Sequence, residues 1–318
     1  MNTTYNLLVK DFCVYLDSLK GLSEYTVKGY RADLESLSQF LNADGVVSVT
    51  DFSRDHLRKY LSWLLECGYE RSSVARKQSV LRQFFKWLYL EGHIGSDPIP
   101  RRMPMKKDKT LPVFLTREEI ERLIYAATEN EAFPLVSVRD VALIELIYGS
   151  GLRVSEACRV NISDLNIDEM TILIMGKGSK QRIALFGERA RLSLNTYLRD
   201  ARPSLAVKES EAIQPLFLSR NGARLSVRSI QDRIKRYGRK SGLGSKVHTH
   251  SLRHSFATHI LDGGGDIRVL QDLLGHETPD TTQIYTHVTG LQAKKSYNLA
   301  HPMSESEENH DNDLNVSL

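Results

Sequence analysis

Six residues in four short segments have types and spacings suited to a single reaction. Arg153 follows a glycine break in Gly149-Ser-Gly-Leu-Arg-Val-Ser-Glu156, and Lys177 stands between two glycines in Gly176-Lys-Gly-Ser-Lys180. His250 and Arg253 lie three apart in His248-Thr-His-Ser-Leu-Arg-His254. His276 closes Leu274-Gly-His276, and Tyr285 follows nine residues later in Thr281-Thr-Gln-Ile-Tyr-Thr-His287. Alone, each has an ordinary explanation: Arg153 as the partner of Glu156, Lys177 as a solvated turn residue, His250 and His276 as half-buried histidines, Tyr285 as one of 13 tyrosines. Together they suit metal-free phosphoryl transfer on a DNA backbone. A phosphodiester attacked by an oxygen gathers charge on its non-bridging oxygens, and preorganised cations there lower the barrier. Arg153 and Arg253 meet that need, because a guanidinium stays charged and forks onto phosphate oxygens. The departing 5′-oxygen needs a proton, which Lys177 on a hairpin can supply. A tyrosine hydroxyl titrates near about 10, so Tyr285 needs His250 and the arginines to make it attack. A phosphotyrosyl ester keeps the bond energy, so the strand can be resealed without ATP.

The elements that must hold these groups are mostly helical. Ahead of residue 97, apolar stripes predict helices over Tyr5–Leu19, from a Ser23 cap to Leu41, over Arg54–Glu66 and over Val74–Leu90. The fourth carries Arg71, Arg76, Lys77, Arg82 and Lys86, so the first domain reads as a small bundle with one basic element. The second half is mixed. Thr116-Arg-Glu-Glu119 has capping-box spacing, and a helix is expected over Val138–Tyr148, halted by glycines. Thr171–Met175 and Gln181–Phe186 flank the glycine-containing turn as a β-hairpin with Lys177 at its tip. Helices return over Glu188–Asp200, Val227–Lys240, Leu252–Leu261 and Ile267–Leu274, which leaves His250 ahead of its helix. The fold class expected is therefore mainly α with a small β-hairpin: a helical bundle in residues 1–96, a linker over 97–112, an α+β domain over 113–300 and a tail over 301–318.

Charge supports a nucleic-acid partner. The 318 residues carry 43 Lys+Arg against 39 Asp+Glu, a formal +4. The tail holds Glu305, Glu307, Glu308, Asp311 and Asp313 with no basic residue, and its composition reads as disordered. Without it the chain has 43 basic residues against 34 acidic, or +9. Five basic residues and four prolines mark 97–112 as an exposed linker, and 220–246 hold nine basic residues against one acid, Asp232. No stretch approaches about 18 uninterrupted apolar residues, so no membrane span is expected. The N-terminus has no basic flank before an apolar run, so no signal peptide is expected. Three scattered cysteines point away from a disulfide framework and toward a reducing, cytoplasmic setting.

The four segments resemble the tyrosine recombinase (integrase) family over nearly the whole chain. Gly151–Glu156 matches the family's first arginine segment, Gly176-Lys177-Gly178 its hairpin lysine, His250 to Arg253 its His-x-x-Arg pair, and His276 with Tyr285 its final pair. The resemblance implies that Arg153, Arg253 and His276 clamp the scissile phosphate. It makes Lys177 the general acid, His250 the general base and Tyr285 the nucleophile of a 3′-phosphotyrosyl intermediate, with Glu156 supporting the first arginine. Residues 23–34 and 75–85 resemble the family's SAM-like core-binding domain, implying a C-shaped clamp on duplex DNA. Arg76, Lys77, Arg82, Arg233, Lys235, Arg236 and Arg239 become candidate DNA contacts, mostly to phosphate. The two-domain length and the Thr-Gln-Ile-Tyr-Thr-His-Val segment are most similar to the Xer branch. That implies chromosome-dimer resolution at a specific DNA site by a homo- or hetero-tetramer. It also implies a DNA translocase as a further partner, no cofactor, and a segment near Leu291–Leu299 that docks on a neighbouring protomer. The acidic tail is longer than the family pattern.

Four other readings compete. A metal enzyme could use His250 and His254, but there is no HExxH, CxxC or carboxylate cluster. A Walker loop fails, because no glycine stands five residues before Gly176-Lys177. A non-catalytic DNA-binding protein would not need all six polar groups. A phage or mobile-element integrase would share the chemistry and differ only in its task.

Overall fold

The computed structural model describes residues 3–18, 20, 22, 24–46, 48–100, 114–129, 133–175, 181–206, 214–274, 297 and 300–302. By internal contacts the chain divides into two compact units, Met1–Lys109 and Thr110–Leu318.

The first unit is built from α1 (Thr3–Ser18), α2 (Glu24–Ala43), α3 (Arg54–Glu66) and α4 (Arg71–Leu90). Ser53 caps α3, its hydroxyl accepting from the His56 N–H while His56 Nδ1 accepts from the Ser53 N–H at 3.1 Å. The apolar stripes meet in one core: Phe12, Leu37, Leu64, Phe84 and Phe85 are fully buried, with Phe12 edge-on to Phe84 at 5.2 Å. Ile99 joins that core at 4% exposure, and Asp97 Oδ1 accepts from its N–H at 2.9 Å. Within the stretch expected as exposed linker, Ile99 is therefore packed on the bundle, because it has apolar surface to bury, while Asp97 stays exposed. The rest of the linker, 101–112, and the Ser23 cap lie outside the described residues.

In the second unit, α5 (Arg117–Thr128) opens on the expected capping box, with the Thr116 N–H donating to Glu119 Oε2 at 2.9 Å. α6 (Pro134–Ser150) is buried almost all round from Val136 onward, as suits a helix with apolar residues on every side. It stops at Gly151, whose φ is +61°; a Cβ there would lie 2.4 Å from Phe256 Cδ1. Only glycine both turns the chain there and lets Phe256 approach. α7 (Val154–Arg159) follows. Then come β1 (Leu165–Asn166), β2 (Thr171–Met175) and β3 (Gln181–Leu185), antiparallel in that order with Ile174 opposite Arg182. The hairpin strands fall where the runs flanking the glycine-containing turn placed them, β3 ending one residue early; β1, two residues long, is too short to show a period. α8 (Glu188–Thr196) passes through a π turn, Tyr197–Ala201, into α9 (Arg202–Leu205).

α10 (Val227–Lys240), α11 (Thr249–Asp262) and α12 (Ile267–Leu274) complete the unit, apart from its final residues. α11 starts earlier than expected. His248 caps it, Nδ1 accepting the Ser251 N–H at 3.0 Å, so His250 lies in the first helical turn rather than ahead of the helix. A histidine ring here does what a serine or aspartate side chain usually does. Tyr297 and His301 also differ from expectation. They are 2% and 3% exposed, their rings stack at 5.0 Å, and the Tyr297 hydroxyl donates to Gly149 O at 2.6 Å. Both pack in the core of this unit, so His301 is not part of a solvated tail, because two flat rings bury well. Residues 291–296 and 303–318 lie outside the described residues. Among the described residues no helix is long and apolar enough to cross a membrane.

Candidate active site

One buried carboxylate organises the cations. Glu156 stands in the first turn of α7 and is 8% exposed. Its Oε2 accepts from the Arg153 backbone N–H at 2.8 Å, and its Oε1 from Arg153 Nη1 at 3.0 Å. The backbone bond is a helix cap and the side-chain bond aims the guanidinium, so one residue fixes both ends of Arg153. Oε2 also accepts from Arg182 Nη2 at 2.8 Å, while Arg253 Nη1 stays 4.0 Å away.

Arg253 is held differently. From α11 it donates Nη1 to Gly151 O at 2.6 Å and Nη2 to Leu274 O at 2.7 Å. Those two carbonyls end α6 and α12, so the guanidinium ties three helices at one point. Its side chain is 12% exposed, against 42% for Arg153. Burial, then the neighbouring Arg153 charge, pulls Arg253 down to about 10, which leaves it protonated at neutral pH. Three guanidiniums thus face one carboxylate, and the excess positive charge is what a phosphate would neutralise. His250 is exposed on α11, three residues before Arg253 and so on a neighbouring face. Burial and the nearby His250 ring lower the pKa of His248.

Of the expected catalytic residues, the structure therefore brings Arg153, Arg253 and Glu156 together and puts His250 one turn from Arg253. Lys177, His276 and Tyr285 lie outside the described residues. Among the described residues no three His, Cys, Asp or Glu side chains converge as a metal site. Arg182 went unnoticed in the sequence, although a signal was present. Alternation along Gln181–Leu185 puts it on the face of Ala184, which is fully buried, so β3 carries a charge on its inward side.

The candidate DNA contacts divide. Lys77 is 5% exposed and its ammonium lies 3.0 Å from Asp33, itself 2% exposed. Arg76 is half exposed but forks onto the same carboxylate at 2.6 and 2.9 Å. Arg233 lies 2.9 Å from the buried Asp140, joined there by Arg139 at 2.6 Å and the Tyr237 hydroxyl at 2.6 Å. Lys77 is therefore an internal counter-ion, and Arg233, 20% exposed, is anchored to one buried carboxylate, since such a group needs a cation beside it. Lys235, Arg236 and Arg239 are exposed on α10, and no carboxylate among the described residues pairs with Arg82.

Comparison with known proteins agrees with this geometry. The phage integrase family profile matches residues 113–291, and the phage integrase N-terminal SAM-like domain matches residues 9–92. The chain is 38% identical to tyrosine recombinase XerC of Oceanobacillus iheyensis over 296 residues, 93% of this chain and 96% of that one. It is 36% identical to tyrosine recombinase XerC of Bacillus subtilis, over 92% of this chain and 96% of the relative. The fold is shared with a lambda integrase (75–356) dimer bound to a COC′ core site: TM-score 0.67, 18% identity, 89% of this chain and 98% of that one. It is also shared with the XerH site-specific recombinase bound to difH substrate: TM-score 0.64, 21% identity, 97% and 83% covered. With the family matched along most of its length and two of its arginines gathered on one carboxylate, the chain belongs to the phage integrase family and is a tyrosine recombinase, an enzyme that cleaves and rejoins DNA strands.

Proposed function

We propose that the chain is a Xer-type site-specific recombinase that cleaves a duplex recombination site through a 3′-phosphotyrosyl intermediate. The observation that carries this is the placement of Arg153 and Arg253 about Glu156, with donors left over for a phosphate. In this reading Tyr285 attacks the scissile phosphorus and its proton passes toward His250. Arg153, Arg253 and His276 hold the non-bridging oxygens, and Lys177 protonates the departing 5′-oxygen. Rejoining is the same path reversed, the 5′-hydroxyl displacing the tyrosine. Arg82, Lys235, Arg236 and Arg239 supply phosphate contacts, with Arg76 free to share its exposed edge. The assembly is a tetramer of this chain, alone or with a second recombinase. The task is chromosome-dimer resolution in the cytoplasm, with a DNA translocase bringing sites together.

The test is a nicked suicide substrate carrying the recombination site, in EDTA and without ATP. Wild type accumulates a covalent protein–DNA adduct, and Tyr285→Phe forms none. No adduct with wild type, or equal adduct with the variant, refutes the reading. Lys177→Ala slows cleavage by about 100-fold or more, as expected for loss of a general acid. A 5′-bridging phosphorothiolate, whose sulfur leaves without protonation, restores its rate; failure to do so removes Lys177 from the acid role.

A further inference from the structure

We propose that Arg182 on β3 is a positioning residue for strand cleavage: it occupies Glu156 Oε2 and so keeps Arg253 available to the scissile phosphate. This rests on the reading above, in which Arg153 and Arg253 hold that phosphate. Arg182 is as buried as Arg253, 11% against 12% exposed, but where Arg253 rests on two backbone carbonyls Arg182 is bound to the carboxylate itself. Its bond is to the carboxylate: Nη2 stands 2.8 Å from Oε2, with Arg253 Nη1 at 4.0 Å from the same oxygen. Three guanidiniums share one buried anion, and Arg182 holds the share that would otherwise fall to Arg253.

Removing Arg182 changes the balance at Arg253. Attraction between partly buried charges rises steeply as they close over a few ångströms. The Arg253 fork would turn from Gly151 O toward Oε2 and spend on Glu156 the donors meant for the substrate. Arg182 also has a place in the hairpin. It pairs across the sheet with Ile174 and stands five residues after Lys177 in sequence. The ion pair thus fastens the hairpin strands, one pair in from the turn, to the carboxylate that aims Arg153, giving the acid-bearing hairpin and the arginine pair one anchor.

Single-turnover cleavage of the suicide substrate, together with gel-shift affinity, tests this with R182A, R182K and R182Q. R182A loses about 100-fold in cleavage rate, the scale of a misplacement of about an ångström, while its DNA affinity changes by less than about threefold because no phosphate contact is lost. R182K recovers about tenfold of that loss, as its ammonium can donate one bond to Oε2 but cannot fork. In an E156Q background R182A costs less than about threefold more, since residues acting through one partner are not additive. Adduct from wild type and none from Y285F in the same assay keep the underlying chemistry separate from the role of Arg182. Three results overturn the proposal: wild-type cleavage by R182A, an equal loss with or without Glu156, or affinity falling in step with rate. If R182A does not fold, the order wild type, R182K, R182Q in decreasing rate carries the test, and equal rates for all three overturn it.

Discussion

Asp140 and Glu156 are two buried carboxylates of the same unit, 1% and 8% exposed, and each gathers arginines. Around Asp140 the cations are spent. Arg139 is fully buried and gives Nε and Nη2 to Oδ1 at 2.9 and 2.6 Å and Nη1 to Leu218 O. Arg233 and the Tyr237 hydroxyl close Oδ2, so the cluster bolts the basic helix α10 to the buried helix α6. Around Glu156 the cations are only aimed: Arg153 stays 42% exposed, and Arg253 stops 4.0 Å short of the carboxylate. The same ion-pair chemistry is scaffold in one place and a cradle for an anion in the other. What separates them is how many donors face outward, and charge count alone would not reveal it.

The largest expected effect breaks the scaffold. Asp140→Asn leaves Arg139 and Arg233 without their counter-charge and destabilises the second unit by about 3–5 kcal/mol. Denaturant unfolding followed by fluorescence measures this. Below the transition, the folded variant cleaves the suicide substrate at close to the wild-type rate. A variant that is as stable as wild type but slow would move Asp140 out of the scaffold and into the site.

The converse holds for Arg153. Arg153→Lys keeps the charge and loses the fork, so single-turnover cleavage falls by about 100-fold, whereas unfolding stability changes by less than about 0.5 kcal/mol. Paired rate and stability measurements decide it. A stability loss comparable to that of Asp140→Asn would erase the distinction between the clusters.

How much of this was legible depended on whether a partner was near in sequence. The ends of α10 and the hairpin strands could be read because caps, turns and short apolar runs are local. The Arg153–Glu156 pair could be read for the same reason, its members being three residues apart. The ion pairs of Lys77 and Arg233 could not be read, because Asp33 is 44 positions from the one and Asp140 is 93 from the other. Arg182 went unread because it meets Glu156 across 26 residues of chain. His248 as a cap was missed because histidine is an unusual capping residue, and His301 because the acidic run from Glu305, four residues later, dominates the composition of that segment. Residue type carried the chemistry; pairing across the fold decided which cations were free to perform it.

The smallest effect separates both ion-paired clusters from a buried node that works only while uncharged. Tyr148 meets His259 Nδ1 at 2.7 Å, and the His301 ring lies 5.0 Å from Tyr148 and is stacked on Tyr297. Burial first, then the His259 and Arg117 charges, pushes His301 down to about 3, and burial lowers His259 as well. A histidine whose folded pKa lies below its unfolded value of about 6.5 binds its proton in the unfolded chain first. Its contribution is therefore complete above about pH 6.5 and is lost as pH falls toward the folded value, at up to about 1.4 kcal/mol per pH unit for one proton. His301→Phe keeps a flat ring against Tyr297 and removes that proton. The difference in unfolding free energy between wild type and variant, measured from pH 7 to pH 4.5, cancels the carboxylates common to both. It should shift steadily in favour of the variant as the solution is acidified. A difference that does not move with pH would mean that His301 is protonated inside the fold, and that this third cluster is held by charge like the other two.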